Sequence, residues 1–101
     1  MRILLSNDDG VEAPGLWALY QAVSEVADEI VVVAPSTERS AVGHAISVYN
    51  EVTLRRHIRD GRSWAYSLDG TPADCVKMAL STLMRDTPPD LVISGVNRGQ
   101  N

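Results

Sequence analysis

Ile3-Leu4-Leu5-Ser6-Asn7-Asp8-Asp9-Gly10 is the stretch on which the fold turns. Three apolar residues run without a polar break into two adjacent carboxylates and a glycine. A strand with one wet face alternates apolar and polar, so Ile3 to Ser6 reads as a short strand covered on both faces, the habit of parallel sheets in α/β proteins. In such sheets the ligand crevice lies beyond the carboxyl ends of the strands, so acids delivered there face a ligand, whereas acids in mid-helix face water. Pro14 then opens a helix to about Ala27, with Leu16, Tyr20, Val23 and Val26 on one face and Trp17 and Leu19 widening it. Ile30-Val31-Val32-Val33 is β-branched and uninterrupted, a second strand buried on both sides, and strand, helix, strand in this span is a βαβ unit.

Downstream, Val52, Leu54, Arg56 and Ile58 alternate with polar neighbours, and Asp60-Gly61 separates them from Trp64, Tyr66 and Leu68, which predicts a β-hairpin. Thr71-Pro72-Ala73-Asp74 predicts a helix start, with Thr71 as N-cap, Pro72 in the first turn and Asp74 complementing the amide end. Cys75, Val76, Ala79, Leu80 and Leu83 form its expected buried stripe. Pro88-Pro89 ends that segment, and Leu91-Val92-Ile93-Ser94 is a third buried strand leading into Gly95 to Asn101. The expected class is α/β, a mainly parallel sheet with a β-hairpin insertion.

At 101 residues there is room for one domain. The longest apolar run, Ile30 to Ala34, is far too short to cross a bilayer, so no membrane partner is expected. Met1-Arg2 is followed by only three apolar residues, too few for a signal peptide, which points to the cytoplasm. The lone Cys75 excludes an intrachain disulfide and a multi-cysteine zinc site. A net charge of -4 argues against a nucleic-acid polymer as the main partner, because that binding is driven by Lys and Arg on phosphates.

Parallel strands bring their carboxyl ends to one edge, so Asn7-Asp8-Asp9-Gly10, Ser36 to His44 and Gly95 to Asn101 should converge. They offer two carboxylates, the hydroxyls of Ser36, Thr37 and Ser40, and the Asn97 amide, hard oxygen donors that suit Mg²⁺ or Mn²⁺. Each also has a structural reading: Asp8 or Asp9 as a cap for the following helix, Ser40 in a local backbone bond, Asn97 in a left-handed turn, Arg39 as a solvated charge. His44 reads as a structural histidine, Cys75 as an inert core thiol, and Trp17 and Trp64 as packing.

Four blocks in order carry a resemblance: Ser6-Asn7-Asp8-Asp9-Gly10 with Pro14-Gly15; Val33-Ala34-Pro35 leading to Arg39-Ser40-Ala41-Val42-Gly43-His44-Ala45-Ile46-Ser47; Gly70-Thr71-Pro72-Ala73-Asp74-Cys75-Val76; and Ser94-Gly95-Val96-Asn97-Arg98-Gly99-Gln100-Asn101. Together they resemble the SurE survival-protein family. The resemblance implies a Rossmann-like three-layer α/β/α fold and a metal-dependent acid phosphatase acting as a 5'-nucleotidase, and also a 3'-nucleotidase, on nucleoside monophosphates. It implies Asp8, Asp9, Ser40 and Asn97 as metal ligands, with Asp8 and Asp9 also catalytic, and hydrolysis by metal-activated water without a protein nucleophile. Asn7 and Arg39 are second-rank candidates for contacts to phosphate. Members are more than twice this length and carry a later Ser-Gly-Thr phosphate-binding segment. Residues 1–101 are therefore expected to be the amino-terminal part of a single, incomplete domain whose full-length parent is a homodimer or homotetramer.

The rival is a Mg²⁺-binding receiver-like signalling domain, which also follows its first strand with an acidic pair. It needs a phosphoacceptor Asp and a Lys at later strand ends, which Ala34 and Ser94 do not supply. A phosphatase working through an aspartyl-phosphate spaces its acids one residue apart. Neither a G-x-G-x-x-G nor a G-x-x-x-x-G-K-[ST] loop occurs.

Overall fold

The structure is a computed structural model that describes residues 1–36, 45–49 and 52–96. Strand β1 (Arg2–Ser6) is paired on both sides, in parallel, with β2 (Glu29–Pro35) and β6 (Leu91–Ser94). On the far side of β2 lies β5 (Arg62–Leu68), also parallel to it, and then β4 (Val52–Arg59) and β3 (Ala45–Tyr49) run antiparallel to their neighbours. The order is β3-β4-β5-β2-β1-β6.

The predicted hairpin is present, turning at Asp60 and Gly61, both with positive φ (55° and 76°), the left-handed pair that such a tight turn requires. It is a continuation of the main sheet: its second strand joins β2 in the register Val33↔Tyr66, Ala34↔Ser67 and Pro35↔Leu68. Four parallel strands therefore end at one edge, including one that the local pattern did not show. A register shift between His57 and Ile58 breaks the alternation of β4, and Ile58 ends 61% exposed.

The unbroken apolar runs of β1 and β2 are explained by what covers them, whereas β6, expected to be a third buried strand, is the outer strand beside β1 and leaves Leu91 and Val92 each 45% exposed. Ile3, Leu5, Val32 and Ala34 point to the side of helix α1 (Pro14–Val23), where Leu16 and Val23 close the layer. Leu4 and Val33 point to the other side and meet Cys75, Met78 and Ala79 of α2 (Pro72–Met78) and the wide turn that continues it. Two apolar cores on opposite faces of one sheet make the three-layer α/β/α arrangement. On the α1 side, Trp17, Tyr20 and Trp64 pack ring to ring, with the Arg59 guanidinium 4.1 Å over Trp17.

Helix α1 stops at Val23, short of Ala27, and Val26 is 74% exposed where a buried face was expected. A ten-residue helix is about 15 Å long, already nearly the length of the five-residue β1 beside which it returns. The chain must then turn so that Glu29 lies beside Arg2, and the Asp28 N–H donates to the Met1 carbonyl to seat it there. Helix α2 begins as the sequence predicts: the Thr71 hydroxyl accepts from the Asp74 N–H (3.1 Å) and the Asp74 carboxylate accepts from the Thr71 N–H (2.9 Å). After Met78 the helix widens into a π turn (Ala79–Leu83), in which the Thr82 hydroxyl donates to the Met78 carbonyl and the Met84 N–H to that of Ala79. The extra residue of the wide turn puts Met84 (1% exposed) where a regular helix would put Leu83, while Leu80, on the flank, is 41% exposed.

Thr71→Ala is expected to lower stability by about 1 kcal/mol. The Thr71 backbone N–H, then its hydroxyl, hold the Asp74 carboxyl below its ordinary 3.8, so the contribution of Asp74 is present above that value and fades as pH falls through the depressed one. Thermal melts of Asp74→Asn against wild type should therefore differ at neutral pH and converge under acid conditions; a gap that persists in acid would show that the charge is not what Thr71 reads.

Candidate active site

At the carboxyl edge, β1 ends in a turn made rigid by its own first residue. Asn7 is fully buried, its carboxamide oxygen accepts from the Gly10 N–H (3.1 Å) and its amide nitrogen donates to the Gly10 carbonyl (2.8 Å). Closing the loop in this way requires Gly10 at φ 108°, a value that suits glycine. Between the two ends of this clamp stand Asp8, exposed, and Asp9, half-buried. The same Gly10 carbonyl accepts from the Ala13 N–H, and Ala13 is the N-cap of α1, so neither aspartate holds the cap position.

Three contacts bind other strand ends to this turn. The Val11 N–H donates to the Pro35 carbonyl (2.9 Å), tying it to the end of β2, and the Gly95 N–H donates to the Ser6 carbonyl (2.9 Å), extending the β1–β6 pairing. The start of α1 presses against the segment leaving β6: a methyl group on Gly15 would stand 2.2 Å from the Val96 carbonyl oxygen. The Ser36 N–H in turn donates to the Leu68 carbonyl, joining the ends of β2 and β5 (2.9 Å).

Asp8 and Asp9 are thus presented together at an edge onto which the ends of β2 and β6 are fastened. Ser40, Arg39 and Asn97 lie outside the described residues, as do Thr37 and His44. Where the sequence offered Asn7 as a contact to phosphate, the structure commits its carboxamide to the turn. Cys75 is fully buried, and its thiol is pushed up to about 12 by desolvation, with the Asp74 charge adding, which leaves it protonated and inert.

Sequence reasoning passed over two residues at this edge. Arg55 is 8% exposed, and its Nη1 lies 3.3 Å from the Ser36 hydroxyl and 3.5 Å from the Asp69 carboxylate. The available signal was the Arg55-Arg56 pair: adjacent residues of a strand face opposite sides, so one arginine had to point at the sheet's covered side. Asp69 follows β5 as Asn7 follows β1, but only the parallel pairing of β5 with β2 shows that this end belongs to the edge.

The family model for survival protein SurE matches residues 3–101. A 5'-nucleotidase SurE of Desulforudis audaxviator is 54% identical over 102 residues, covering 100% of this chain and 39% of the relative. That of Rhodopirellula baltica is 52% identical over 101 residues, covering 100% and 40%. The crystal structure of SurE protein from Aquifex aeolicus superposes with a TM-score of 0.71 at 39% identity, over 100% of this chain and 39% of that one. The chain therefore spans about two fifths of the length of the curated relatives it matches.

Asn7→Ala is expected to cost about 1–3 kcal/mol, because the buried Gly10 N–H loses its partner and the Gly10 carbonyl keeps only the bond from the Ala13 N–H. Urea denaturation measures this, and Asn7→Asp should recover only the bond accepted from the Gly10 N–H. Stability equal to wild type in both variants would mean that the clamp does not set the turn.

Proposed function

The chain belongs to the survival protein SurE family, and from that membership we propose that residues 1–101 are the amino-terminal part of a single SurE-like α/β domain that hydrolyses nucleoside monophosphates to nucleoside and phosphate. The relatives carry the name 5'-nucleotidase; we extend the proposal to 3'-phosphates as a second activity. What supports it most in this chain is the clamped turn, which leaves two adjacent carboxylates at the edge where four parallel strands end.

Asp8 and Asp9, with Ser40 and Asn97, would hold a divalent ion, Mg²⁺ or Mn²⁺. Among the described residues no group of three or more His, Cys, Asp or Glu is placed to hold an ion. In the proposed set the two carboxylates are joined by the neutral oxygens of Ser40 and Asn97, with water completing the shell, which suits a hard cation. When bound, such an ion lowers the pKa of a coordinated water and offsets charge on a phosphoryl oxygen. The aspartates also supply a proton acceptor for the attacking water, so no protein nucleophile is required. Arg39 is the candidate for a phosphate contact, and the work of Asn7 is to hold the acids in place.

The setting is a cytoplasmic homodimer or homotetramer, with no membrane and no nucleic-acid polymer as partner. No helix among the described residues is long and apolar enough to cross a membrane. The receiver-like reading is not favoured: a receiver is a doubly wound parallel sheet, whereas here β4 and β3 run antiparallel beyond β5.

In the full-length parent, Asp8→Asn and Asp9→Asn are each expected to lower metal-dependent phosphate release from nucleoside monophosphates by about 10²-fold or more with little change in melting temperature. Wild-type turnover in either variant at saturating Mn²⁺ would remove that residue from the site. Ser40→Ala and Asn97→Ala should instead raise the half-saturating Mn²⁺ concentration, since water can replace a neutral oxygen; an unchanged midpoint in both would mean that the loops do not share one ion.

A further inference from the structure

Arg55 is a charge in an expensive place. Its neighbour on β4, Leu54, is fully buried in the core beneath α2, so Arg55 faces the α1 side of the sheet, opposite Ser67, which is 1% exposed. Its Nε is buried without a hydrogen-bond partner among the described residues. One nitrogen, Nη1, carries both the Ser36 and the Asp69 contacts, and Asp69 is itself 56% exposed, a weak counter-ion. Burying a guanidinium on these terms does not favour the fold, because desolvation outweighs a single long ion pair. The position of the residue suggests what the charge is kept for.

β4 and β2 are separated by β5, so the Arg55 side chain crosses a strand to reach Ser36. Ser36 is the joint of the edge. It follows Pro35, whose carbonyl holds Val11 and with it the acidic turn, its own N–H is bonded to Leu68, and the chain continues from it to Arg39 and Ser40. We infer that Arg55 is a positioning residue for the proposed metal crevice: by holding Ser36 and Asp69 together it fixes the point from which the Ser40 segment leaves β2, relative to the Asp8-Asp9 turn. This rests on the metal-dependent reading above, and it adds a residue that touches neither metal nor substrate. Groups that hydrogen-bond a metal ligand directly change metal affinity by about 10–100-fold when removed, and Arg55, acting through Ser36, is expected at the low end of that range.

The test is made on the full-length parent, with Mn²⁺ binding measured directly from the free-ion electron paramagnetic resonance signal, beside melting temperature and phosphate release. Arg55→Met should weaken Mn²⁺ binding about tenfold while leaving the melting temperature unchanged or higher, because the orphaned Nε disappears and the exposed Asp69 loses little. Turnover at saturating Mn²⁺ should fall by less than the affinity, and Arg55→Lys should recover part of it, since one ammonium can reach Ser36 or Asp69. Ser36→Ala should weaken binding in the same direction, and the double variant should add nothing to Arg55→Met. Unchanged Mn²⁺ affinity in Arg55→Met, or a lower melting temperature with affinity unmoved, overturns the inference. Should Arg55→Met fail to fold, unchanged affinity in Ser36→Ala overturns it just as well. Asp8→Asn separates the two levels: if that variant binds Mn²⁺ like wild type, the metal reading itself is wrong and the inference falls with it.

Discussion

The carboxyl edge exists because β1 is hydrogen-bonded on both sides and buried on both faces. Ile3, Leu4 and Leu5 are at most 2% exposed, and burial of each is worth about 1.5–3 kcal/mol against an exposed position. Since Leu4 faces one core and its neighbours the other, a slip of one residue would exchange the two faces. Both ladders also have clamps at their start: the Arg2 N–H donates to the Asp90 carboxylate, the Asp90 N–H donates to the Arg2 carbonyl, and the Asp28 N–H donates to that of Met1. With the start and register of β1 set, the place where it ends is set too, and everything after Ser6 inherits that precision.

That precision has to be carried through a loop that bears two like charges side by side. Adjacent carboxylates repel, and a flexible loop would let them separate into solvent. Asn7 counters this by a means that a carboxylate lacks: its carboxamide donates and accepts at once, so both polar groups of Gly10 are bonded to one buried side chain. An aspartate there would lose the donor and bring a third negative charge. The amino end of α1, with no acidic residue in its first turn, lies just beyond at Ala13 and Pro14 and favours negative charge at this edge.

Much of this was legible because it is local. The apolar runs of β1 and β2, the Asp60-Gly61 turn and the Thr71/Asp74 capping box depend on residues within a few positions of one another, and each is found as read, whereas β6 forms where expected but as an outer strand with Leu91 and Val92 exposed. What was not legible depends on partners or lengths. Nothing in Arg62–Leu68 says that β2 will be its parallel neighbour, because Trp64, Tyr66 and Leu68 alternate equally well in a free hairpin. The early stop of α1 is set by the length of β1, so Val26 keeps the helical spacing of a core residue and still faces water. The π turn after Met78 depends on side chains bonding back to the backbone, which periodicity cannot see. At the candidate site, the strand-then-acid pattern drew attention to Asp8 and Asp9, while Arg55 stayed hidden because its contact is with Ser36, nineteen residues away and two strands over.

The parts of this edge meet only through long-range pairing. Arg2 and Asp90, whose mutual bonds start the β1–β6 ladder, are 88 positions apart, and the acidic turn is fastened to β2 by the Val11–Pro35 bond, again across the intervening helix. No stretch of contiguous chain contains the site, so it cannot form ahead of the sheet, and local order in the turn alone would leave two aspartates with none of the neighbouring strand ends. Contacts of such separation form late, because the entropy of closing the intervening chain is lost before they stabilise anything. A ligand that binds only the assembled edge must then stabilise the sheet that assembles it, in proportion to how far its concentration exceeds its dissociation constant. The clamps at the start of β1 thus belong to one coupling with the proposed crevice: what holds the sheet together would hold the crevice, and a ligand in the crevice would hold the sheet.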